Sequence, residues 1–435
     1  MTEPLPTLPE AVAALGAEVL DWRFKGVPVA AAGRRVADFL GDGVRLTDLG
    51  TPLLTLDAGA LAGNVAAMAT WCADRGLRLA PHGKTTMAPA LFQAQLAAGA
   101  WGITLANEFQ VRVGRAFGLK NILLANVLLR ADALSWLAQE QRRDPAFRFT
   151  CWVDGLDAVR QMEAVVPPGS TVDVCIELGA TGGRTGARGL DVALAVARGV
   201  SDSPRLRLVG TAGYEGAVAH AAGDEQFAEV DRYLDELVEL HRLIGPLYDL
   251  SRAGTAIVTV GGSAYFDRVA DRLRAVVDPA GRFGPPTEVV LRSGAYLTHD
   301  DGYYRSITPA VRGDGPDLRP ALHAWASVIS APEEGFAVLD AGRRDLPFDQ
   351  GLPEPQLRRR PDGSVSSLAG AHISALNDQH AFLHLRAGAG VDVGDVVRLG
   401  LSHPCTAFDK WTLIPEIDDA GLPDPTVVGL VRTFF

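Results

Sequence analysis

Short apolar runs of β-strand character alternate with helical patterns along the middle of this 435-residue chain. Apolar runs of roughly four to eight residues that end in turn residues are typical of buried strands. Eight such runs follow one another, near Leu77, Gly102, Asn121, Phe147, Val172, Leu206, Ile257 and Glu288. Eight β-α units that close on themselves form a (β/α)₈ barrel, so the pattern predicts an α/β fold with a TIM barrel between Leu77 and Gly294. An open doubly wound sheet is the alternative, although no Gly-x-Gly-x-x-Gly follows the first strand.

The pattern changes on both sides of the predicted barrel. A strand-like run at Thr51–Leu56 and an amphipathic helical pattern from about Ala58 to Arg75 precede it, and this strand is surplus to eight. After about Ala321, short β-type runs lie at Trp325–Ile329, Phe336–Leu339, His380–Leu385, Asp395–Leu399 and Thr426–Val431. We therefore predict a mostly β C-terminal domain, to which the surplus strand could return. The predicted divisions are an N-terminal extension of unassigned role over residues 1–50, the barrel over 51–315 and the β domain over 316–435.

The composition is that of a soluble globular chain and excludes several kinds of partner. The net charge is -11 and no basic stripe is present, so nucleic acid is not expected to bind. No apolar run approaches the roughly 20 residues that span a membrane, and the first residues lack an export signal. The four cysteines are scattered, three of them in apolar runs, which favours a reducing cytoplasm. The basic run Arg358–Arg360 lies in a Pro/Gly/Ser-rich stretch and is interpreted as a solvated loop.

One lysine stands where barrel enzymes place reactive groups. Lys84 lies in the polar turn after the first predicted barrel strand, within Leu-Ala-Pro-His-Gly-Lys-Thr-Thr-Met-Ala-Pro. A lysine at this position could form a Schiff base if burial and neighbouring positive charge lower its pKa. Taken alone, a lysine in a turn is more simply interpreted as a solvated surface charge.

A glycine-rich loop indicates a phosphate-bearing ligand. Gly261, Gly262 and Ser263 directly follow the apolar run Ile257–Val260, so their backbone N–H groups lie at the end of the predicted seventh strand. The later loops of such barrels often bind phosphate through backbone amides. The same three residues also occur in ordinary turns, and the position after the seventh strand is what favours the phosphate.

Seven motifs in a fixed order between Thr51 and Trp411 carry a family resemblance. They are Pro81-His82-Gly83-Lys84-Thr85, Gly183-Arg184-Thr185-Gly186, Tyr214-Glu215-Gly216, Gly261-Gly262-Ser263, Gly294-Ala295-Tyr296 with Asp300, Asp340-Ala341-Gly342, and Ser402-His403-Pro404-Cys405. The chain resembles the fold-type III enzymes that use pyridoxal phosphate, the group that contains alanine racemase. Within that group it is most similar to the D-serine dehydratase and D-threonine aldolase branch.

The resemblance implies a set of residues that hold pyridoxal 5'-phosphate. They are Lys84, His82, Arg184, Tyr214, Gly261, Gly262, Ser263 and Tyr296. Arg184 would face the pyridine nitrogen, and a salt-bridged loop arginine is the alternative interpretation. Tyr214 would lie near the ring, with core packing as the alternative. His82 would lie along the cofactor or satisfy a backbone carbonyl.

The last motif predicts a metal site. On an extended segment, the side chains of His403 and Cys405 point to one face, and an imidazole with a thiolate suits Zn²⁺. Such a pair is often incidental when it stands alone, because zinc sites usually have at least three protein ligands. By resemblance, His-x-Cys is typical of D-serine dehydratases, whereas bacterial D-threonine aldolases tend to have His-x-Asp.

The chain also departs from the branch near both parts of the predicted site. Ala80, Thr86 and Met87 replace an arginine and a His-Lys pair that many members have around the lysine. Residues 377–381 stand where the branch often has a Glu-Glu-His-Gly-like segment, and here the acids are not both present. These departures affect the predicted substrate side and the outer shell of the metal.

The resemblance implies a lyase that acts on a D-β-hydroxy amino acid such as D-serine or D-threonine. Lys84 would carry the cofactor and take the α-proton, and Zn²⁺ or another divalent metal on His403 and Cys405 would assist loss of the hydroxyl, giving a 2-oxo acid and ammonia. Aldol cleavage to glycine and an aldehyde is the alternative within the family. A non-catalytic pyridoxal phosphate carrier is the alternative of another class. A homodimer is expected from the resemblance, with each β domain completing the partner's site.

Overall fold

Two sheets make up the chain, and the first is a parallel barrel. The computed structural model describes residues 5–219, 223–277 and 285–435. The strands of the N-terminal part are β1 (Leu53–Asp57), β2 (Arg78–Leu79), β3 (Ile103–Leu105), β4 (Asn121–Val127), β5 (Arg148–Val153), β6 (Val172–Gly179), β7 (Ala187–Arg188), β8 (Leu206–Ala212), β9 (Ala256–Thr259) and β10 (Thr287–Leu291). Within the described ranges, eight of them are parallel neighbours in the order β2-β10-β9-β8-β6-β5-β4-β3, and β7 extends the end of β6. The eight predicted barrel strands are confirmed.

Backbone hydrogen bonds also join the two ends of this order. The amide of Trp101 donates to the carbonyl of Leu79 at 2.7 Å, and the amide of Thr104 donates to that of Pro81 at 2.9 Å. These bonds connect β2 to β3, so the sheet closes into the predicted barrel. Apolar side chains from the strands fill its interior, and Trp152 is among the largest. The interior is therefore a packed core, and the free space lies at the strand ends.

Helices alternate with the barrel strands, and others lie before and after the barrel. The helices in the described residues are α1 (Leu8–Ala14), α2 (Val36–Leu40), α3 (Ala58–Asp74), α4 (Pro89–Ala97), α5 (Glu108–Ala116), α6 (Ala131–Arg143), α7 (Leu156–Val165), α8 (Leu190–Ser201), α9 (Asp224–Ile244), α10 (Phe266–Leu273) and α11 (Tyr303–Ile307). Polar N-caps begin two of them, because Asp57 accepts from the Ala60 amide and Asn107 accepts from the Gln110 amide. Among the described helices, none is long and apolar enough to cross a membrane.

The second sheet contains the C-terminal strands. They are β11 (Leu322–Glu333), β12 (Phe336–Leu339), β13 (Glu354–Arg359), β14 (Val365–Ser367), β15 (His372–Leu376), β16 (Ala381–His384), β17 (Val396–Gly400), β18 (Leu413–Ile417) and β19 (Val427–Arg432). Strand β1 joins this sheet, antiparallel to β11 and parallel to β18. The surplus N-terminal strand thus returns to the β domain, as the sequence allowed. The five predicted C-terminal strands are found, whereas β13, β14, β15 and β18 were not predicted. The domain boundaries after residues 50 and 315 stay predictions.

The residues before β1 cover the outer face of the second sheet. Leu20, Phe24 and Phe39 are buried against Trp325 and Leu413 in one apolar cluster. Segment 5–50 is therefore part of the packed structure, which gives the extension a structural role that the sequence did not assign.

The basic run Arg358–Arg360 corrects a prediction. Arg358 and Arg359 lie at the end of β13, and their exposed fractions are only 5% and 8%. Only Arg360 is exposed. The interpretation as a solvated loop is wrong for the first two arginines, because β13 pairs with both β14 and β17 and this pairing draws its side chains into the sheet packing.

Candidate active site

One cavity of about 340 Å³ lies at the carboxyl ends of the barrel strands, where the second domain meets them. The predicted site residues that line it are His82, Lys84, Arg184, Tyr214, Gly261, Gly262, Ser263, His403 and Cys405. The barrel contributes the first seven, and the loop after β17 contributes the last two. The structure thus brings together residues that are more than 300 positions apart in the sequence.

Tyr296 does not line this cavity. Its side chain is buried, and its hydroxyl accepts a hydrogen bond from the side-chain amide of Gln95 at 2.9 Å. The tyrosine of the Gly-Ala-Tyr motif therefore serves packing behind the loop, while Gly294 and Ala295 of the same motif line the cavity.

Lys84 lies in a single 3-10 turn, Gly83–Thr85, directly after β2. Close packing shapes this turn, since a Cβ on Gly83 would come within 2.7 Å of the Phe92 ring. The lysine side chain is accessible from the open cavity, yet protein atoms surround it on most sides. This burial lowers the pKa of Lys84, and the charges of Arg184 and Arg292 lower it further, whereas Cys405 opposes them. A larger fraction of the amine is therefore neutral than in water.

His82 precedes the lysine and has an unsatisfied ring nitrogen. Its Nδ1 is buried and has no hydrogen-bond partner among the described residues. Burial, followed by the charges of Lys84 and Arg292, holds the pKa of His82 well below its usual range, so the ring is neutral. A Cβ on Gly294 would come within 2.6 Å of the His82 carbonyl, so glycine is needed for this close approach.

Arg184 and Tyr214 contact one another at the rim. The guanidinium carbon of Arg184 lies 4.7 Å from the centre of the Tyr214 ring. In the part of the chain that the structure describes, Arg184 makes no ion pair, which disagrees with the interpretation as a salt-bridged loop residue. Both side chains are available to a ligand, as the resemblance implies.

The Gly-Gly-Ser loop lines the cavity, but two of its amides are already engaged. The amides of Gly261 and Gly262 donate to the Glu215 carboxylate at 3.1 and 2.6 Å. Glu215 is completely buried, and this burial raises its pKa despite the two amides and the charge of Arg292. The carboxylate fixes the shape of the loop, so the loop is preorganised, and a phosphate would have to use donors other than these two amides. Sequence reasoning noted Glu215 only as the middle of a motif.

His403 is held by two carboxylates. Its backbone is left-handed, with φ of 63°, and its amide donates to Asp300 Oδ2 at 2.9 Å. Its Nδ1 lies 2.6 Å from Asp349 Oδ2, and the Thr406 hydroxyl donates to the other oxygen of Asp349 at 2.6 Å. The extended geometry expected for this motif is wrong, since residues 404–406 form a 3-10 turn. His403 and Cys405 nevertheless line the same cavity and hydrogen-bond to each other.

Cys405 lies between the histidine and the lysine turn. Its sulfur is 3.1 Å from the Thr85 hydroxyl. Burial alone would raise the pKa of this thiol, but the hydrogen bond and charge of His403 lower it below its usual value. Burial likewise opposes protonation of His403, yet the hydrogen bond and charge of Cys405, together with Asp349, raise its pKa to about 9. The pair therefore favours a thiolate beside an imidazolium.

Asp349 is the site residue that sequence reasoning missed most clearly. It lies in the loop between β12 and β13, in no motif. Of residues 377–381, which the sequence placed in the outer shell, the first four form the exposed turn between β15 and β16, and Ala381 is the buried first residue of β16. Among the described residues, no group of three or more His, Cys, Asp or Glu side chains is arranged to hold a metal ion.

The comparisons with known proteins cover nearly the whole chain. Residues 321–417 match the family model described as "Putative serine dehydratase domain". The chain is 28% identical over 386 residues to D-threonine aldolase of an Arthrobacter species, which covers 87% of this chain and 92% of the relative. It is 27% identical over 385 residues to D-threo-3-hydroxyaspartate dehydratase of Delftia sp. strain HT23, which covers 83% and 92%. The solved structure of D-threonine aldolase from Filomicrobium marinum superposes with a TM-score of 0.74, at 26% identity, over 90% of this chain and 97% of the other.

These matches agree with the architecture and with the seven motifs. The chain has the alanine racemase-like fold of the fold-type III pyridoxal-phosphate enzymes. The two sequence relatives named above are lyases that act on D-amino acids, but one is an aldolase and the other a dehydratase. This similarity supports the lyase class and leaves the reaction open. A D-threo-3-hydroxyaspartate dehydratase solved as a cysteine-to-alanine mutant in a metal-free form has a similar fold, with a TM-score of 0.66 and 24% identity over 90% of this chain and 99% of the other.

The side chains that line this cavity fit pyridoxal phosphate. The cofactor is anionic and aromatic and carries polar ring substituents. The cavity offers a lysine with a lowered pKa, the cations Arg184 and Arg292, and two buried atoms without partners among the described residues, His82 Nδ1 and Glu177 Oε2. Such unsatisfied atoms cost free energy unless a ligand pairs with them.

Proposed function

We propose that this fold-type III enzyme is a D-serine dehydratase-like ammonia-lyase. Its substrates would be D-β-hydroxy amino acids such as D-serine and D-threonine, and its products a 2-oxo acid and ammonia. One observation carries the proposal: Lys84 of the barrel and the His403–Cys405 pair of the second domain line the same cavity, so a Brønsted base and a soft pair of metal ligands could act on one substrate. Aldol cleavage is the second candidate, because the Arthrobacter relative is a D-threonine aldolase.

Two groups would supply chemistry that side chains lack: when bound, pyridoxal phosphate withdraws electrons from Cα, and a divalent metal acts as a Lewis acid at the β-hydroxyl. Lys84 would hold the cofactor and, once released from it, accept the α-proton at Nζ. The lowered pKa of this amine raises the fraction that is neutral and can accept a proton. His82 and Tyr214 would limit the cofactor's movement on either side of the lysine, and Arg184 would orient its ring nitrogen.

His403 and Cys405 would hold the metal, preferably Zn²⁺. A thiolate with an imidazole is a soft donor pair that suits zinc, and two protein ligands leave positions open for substrate. Asp349 already fixes the imidazole through Nδ1, which leaves Nε2 as the donor toward the metal. The words "metal-free form" for the solved dehydratase mutant imply a metal in that protein, and a metal at His403 and Cys405 of this chain is our proposal.

Product analysis separates the candidate reactions. The enzyme loaded with pyridoxal phosphate and zinc is expected to convert D-serine into equal amounts of pyruvate and ammonia, with L-serine as the control substrate. Glycine and acetaldehyde from D-threonine, without ammonia, would establish the aldolase instead. If no D-amino acid of a panel that includes D-3-hydroxyaspartate is turned over, both reactions are contradicted and the carrier is favoured.

Asp349 is expected to support metal affinity. In Asp349→Asn, the carboxylate that orients His403 becomes an amide, so the dissociation constant for zinc should rise by about 10- to 100-fold. A competition titration against a chromogenic chelator measures this constant. Asp409→Asn is the matched control, since Asp409 is exposed and lies in the segment between β17 and β18, which also contains His403. Equal zinc affinity in Asp349→Asn and the parent enzyme would contradict the role of Asp349.

The homodimer and the cytoplasmic location stay proposals. The resemblance supports the first, and the scattered cysteines support the second. Cys72, Cys151 and Cys175 are buried and free, and Cys405 is also free. Sedimentation of the cofactor-loaded enzyme gives its oligomeric state.

A further inference from the structure

Another concave surface lies between the N-terminal extension and the second sheet. This groove has a volume of about 430 Å³. Residues that line it include Thr51, Ser327, Arg359, Arg360, Gly394 and Asp424. Among these, the hydroxyls of Thr51 and Ser327 lie 2.7 Å apart. None of these residues belongs to the proposed catalytic cavity.

Arg359 is the unusual member of the groove. The residue is only 8% exposed, and Nη1 is completely buried and has no hydrogen-bond partner among the described residues. Within the described ranges, its guanidinium makes no ion pair, and its close contact is the Trp325 ring, 5.6 Å away. The preceding residue shows what a buried arginine normally has: the guanidinium of Arg358 forms an ion pair with the buried carboxylate of Asp395 and donates from Nη1 to the Gly390 carbonyl. Arg359 lacks such a partner.

Asp424 is not an ion-pair partner of Arg359. Its carboxylate is 3.4 Å from Arg45 Nε and accepts from both the amide and the hydroxyl of Thr47, at 3.1 and 3.0 Å. Its charge raises the pKa of Arg359, but burial outweighs it and lowers that pKa overall. A guanidinium that is desolvated and left unpaired costs free energy, and an anion in the groove would offset this cost.

We propose that the groove is a binding site for a small oxyanion, a carboxylate or a phosphate group, with Arg359 as its main ligand. The planar guanidinium presents parallel N–H donors that match two oxygens of either group. Arg360 is exposed at the rim, and its guanidinium donates to the Ser364 hydroxyl at 3.4 Å; it supplies a second positive charge. The Thr51 hydroxyl donates to Asp340 at 2.6 Å and also contacts the Ser327 hydroxyl, so the two arginines are the proposed donors to the anion. This site is independent of the lyase reaction.

The test is a calorimetric titration of the enzyme loaded with pyridoxal phosphate, in which the cofactor's own phosphate occupies the catalytic cavity. Inorganic phosphate and succinate are titrated separately at constant ionic strength. The enzyme is expected to bind at least one of them, and Arg359→Met should weaken that binding by about 10- to 100-fold. Arg359→Lys, which keeps the charge but loses the planar fork, should bind with intermediate affinity.

Two comparisons make the outcome decisive. Arg160→Met removes an exposed arginine of α7 and should leave the affinity unchanged. In anion-free buffer, Arg359→Met should unfold at the same temperature as the parent or higher, because it removes an unpaired buried charge. Binding of phosphate alone identifies a phosphate ligand, and binding of succinate alone identifies a carboxylate ligand. If neither binds the parent enzyme, or if Arg359→Met binds equally well, the proposal is overturned.

Discussion

Replacement of Lys84 by alanine is expected to abolish lyase activity, by at least about 10⁴-fold, and to remove the visible absorbance of the lysine-bound cofactor. The physical reason is that one amine has two tasks. It anchors the cofactor covalently, and it later accepts the α-proton. In the described structure, no other lysine lines the cavity. Absorbance spectra and assays of pyruvate formation measure the two effects separately.

Reduction with borohydride makes the assignment specific. In the parent enzyme, the reduced cofactor should be found on the peptide that contains Lys84. Lys120→Ala serves as the matched control, since Lys120 is exposed and pairs with Asp144 at the surface. Cofactor label on another lysine, or full activity of Lys84→Ala, would show that Lys84 does not hold the cofactor.

The barrel could be predicted because its strands carry their signal locally. Strands such as Ala256–Thr259 are apolar runs buried on both faces, and parallel sheets covered by helices require this composition. Turn residues and helical patterns separate the runs. The count of eight follows directly, and with it the position of Lys84 after the first strand.

The second sheet was predicted less completely, because pairing partners determine its strands. All three residues of Val365–Ser367 are exposed, so no apolar pattern marks this strand. Glu354–Arg359 contains a proline and two arginines, and the proline is tolerated because the register shifts between Pro355 and Leu357. Strands of this kind form because a neighbour offers backbone hydrogen bonds, which a single sequence does not show.

The same distinction applies to the site. Lys84, His403 and Cys405 stand in short motifs, so residue types and spacing were enough to select them. Asp349 and Glu215 act through contacts with residues 54 and 46 positions away, and nothing near them in the sequence indicates those partners. Arg359 was misinterpreted for the opposite reason: its neighbours resemble a loop, but strand pairing buries it.

Loss of activity on replacing either proposed metal ligand is the second large effect that we expect. His403→Ala and Cys405→Ala should each lower lyase activity by at least about 10³-fold, because a Lewis acid at the leaving hydroxyl contributes several kcal/mol. Both variants should keep the visible absorbance of the lysine-bound cofactor, since neither side chain is proposed to hold it. This combination of lost activity and retained absorbance distinguishes a metal role from general damage to the cavity.

Chelation tests the same assignment without mutation. Treatment of the parent enzyme with a chelator should remove activity, and zinc should restore it to the parent but not to His403→Ala. His380→Ala is the matched control, because this exposed histidine belongs to residues 377–381, the segment that the sequence placed near the metal and the structure does not. It should respond to chelation and zinc as the parent does. If the parent enzyme is indifferent to chelation while Lys84→Ala is inactive, the cofactor assignment stands and the metal assignment is contradicted.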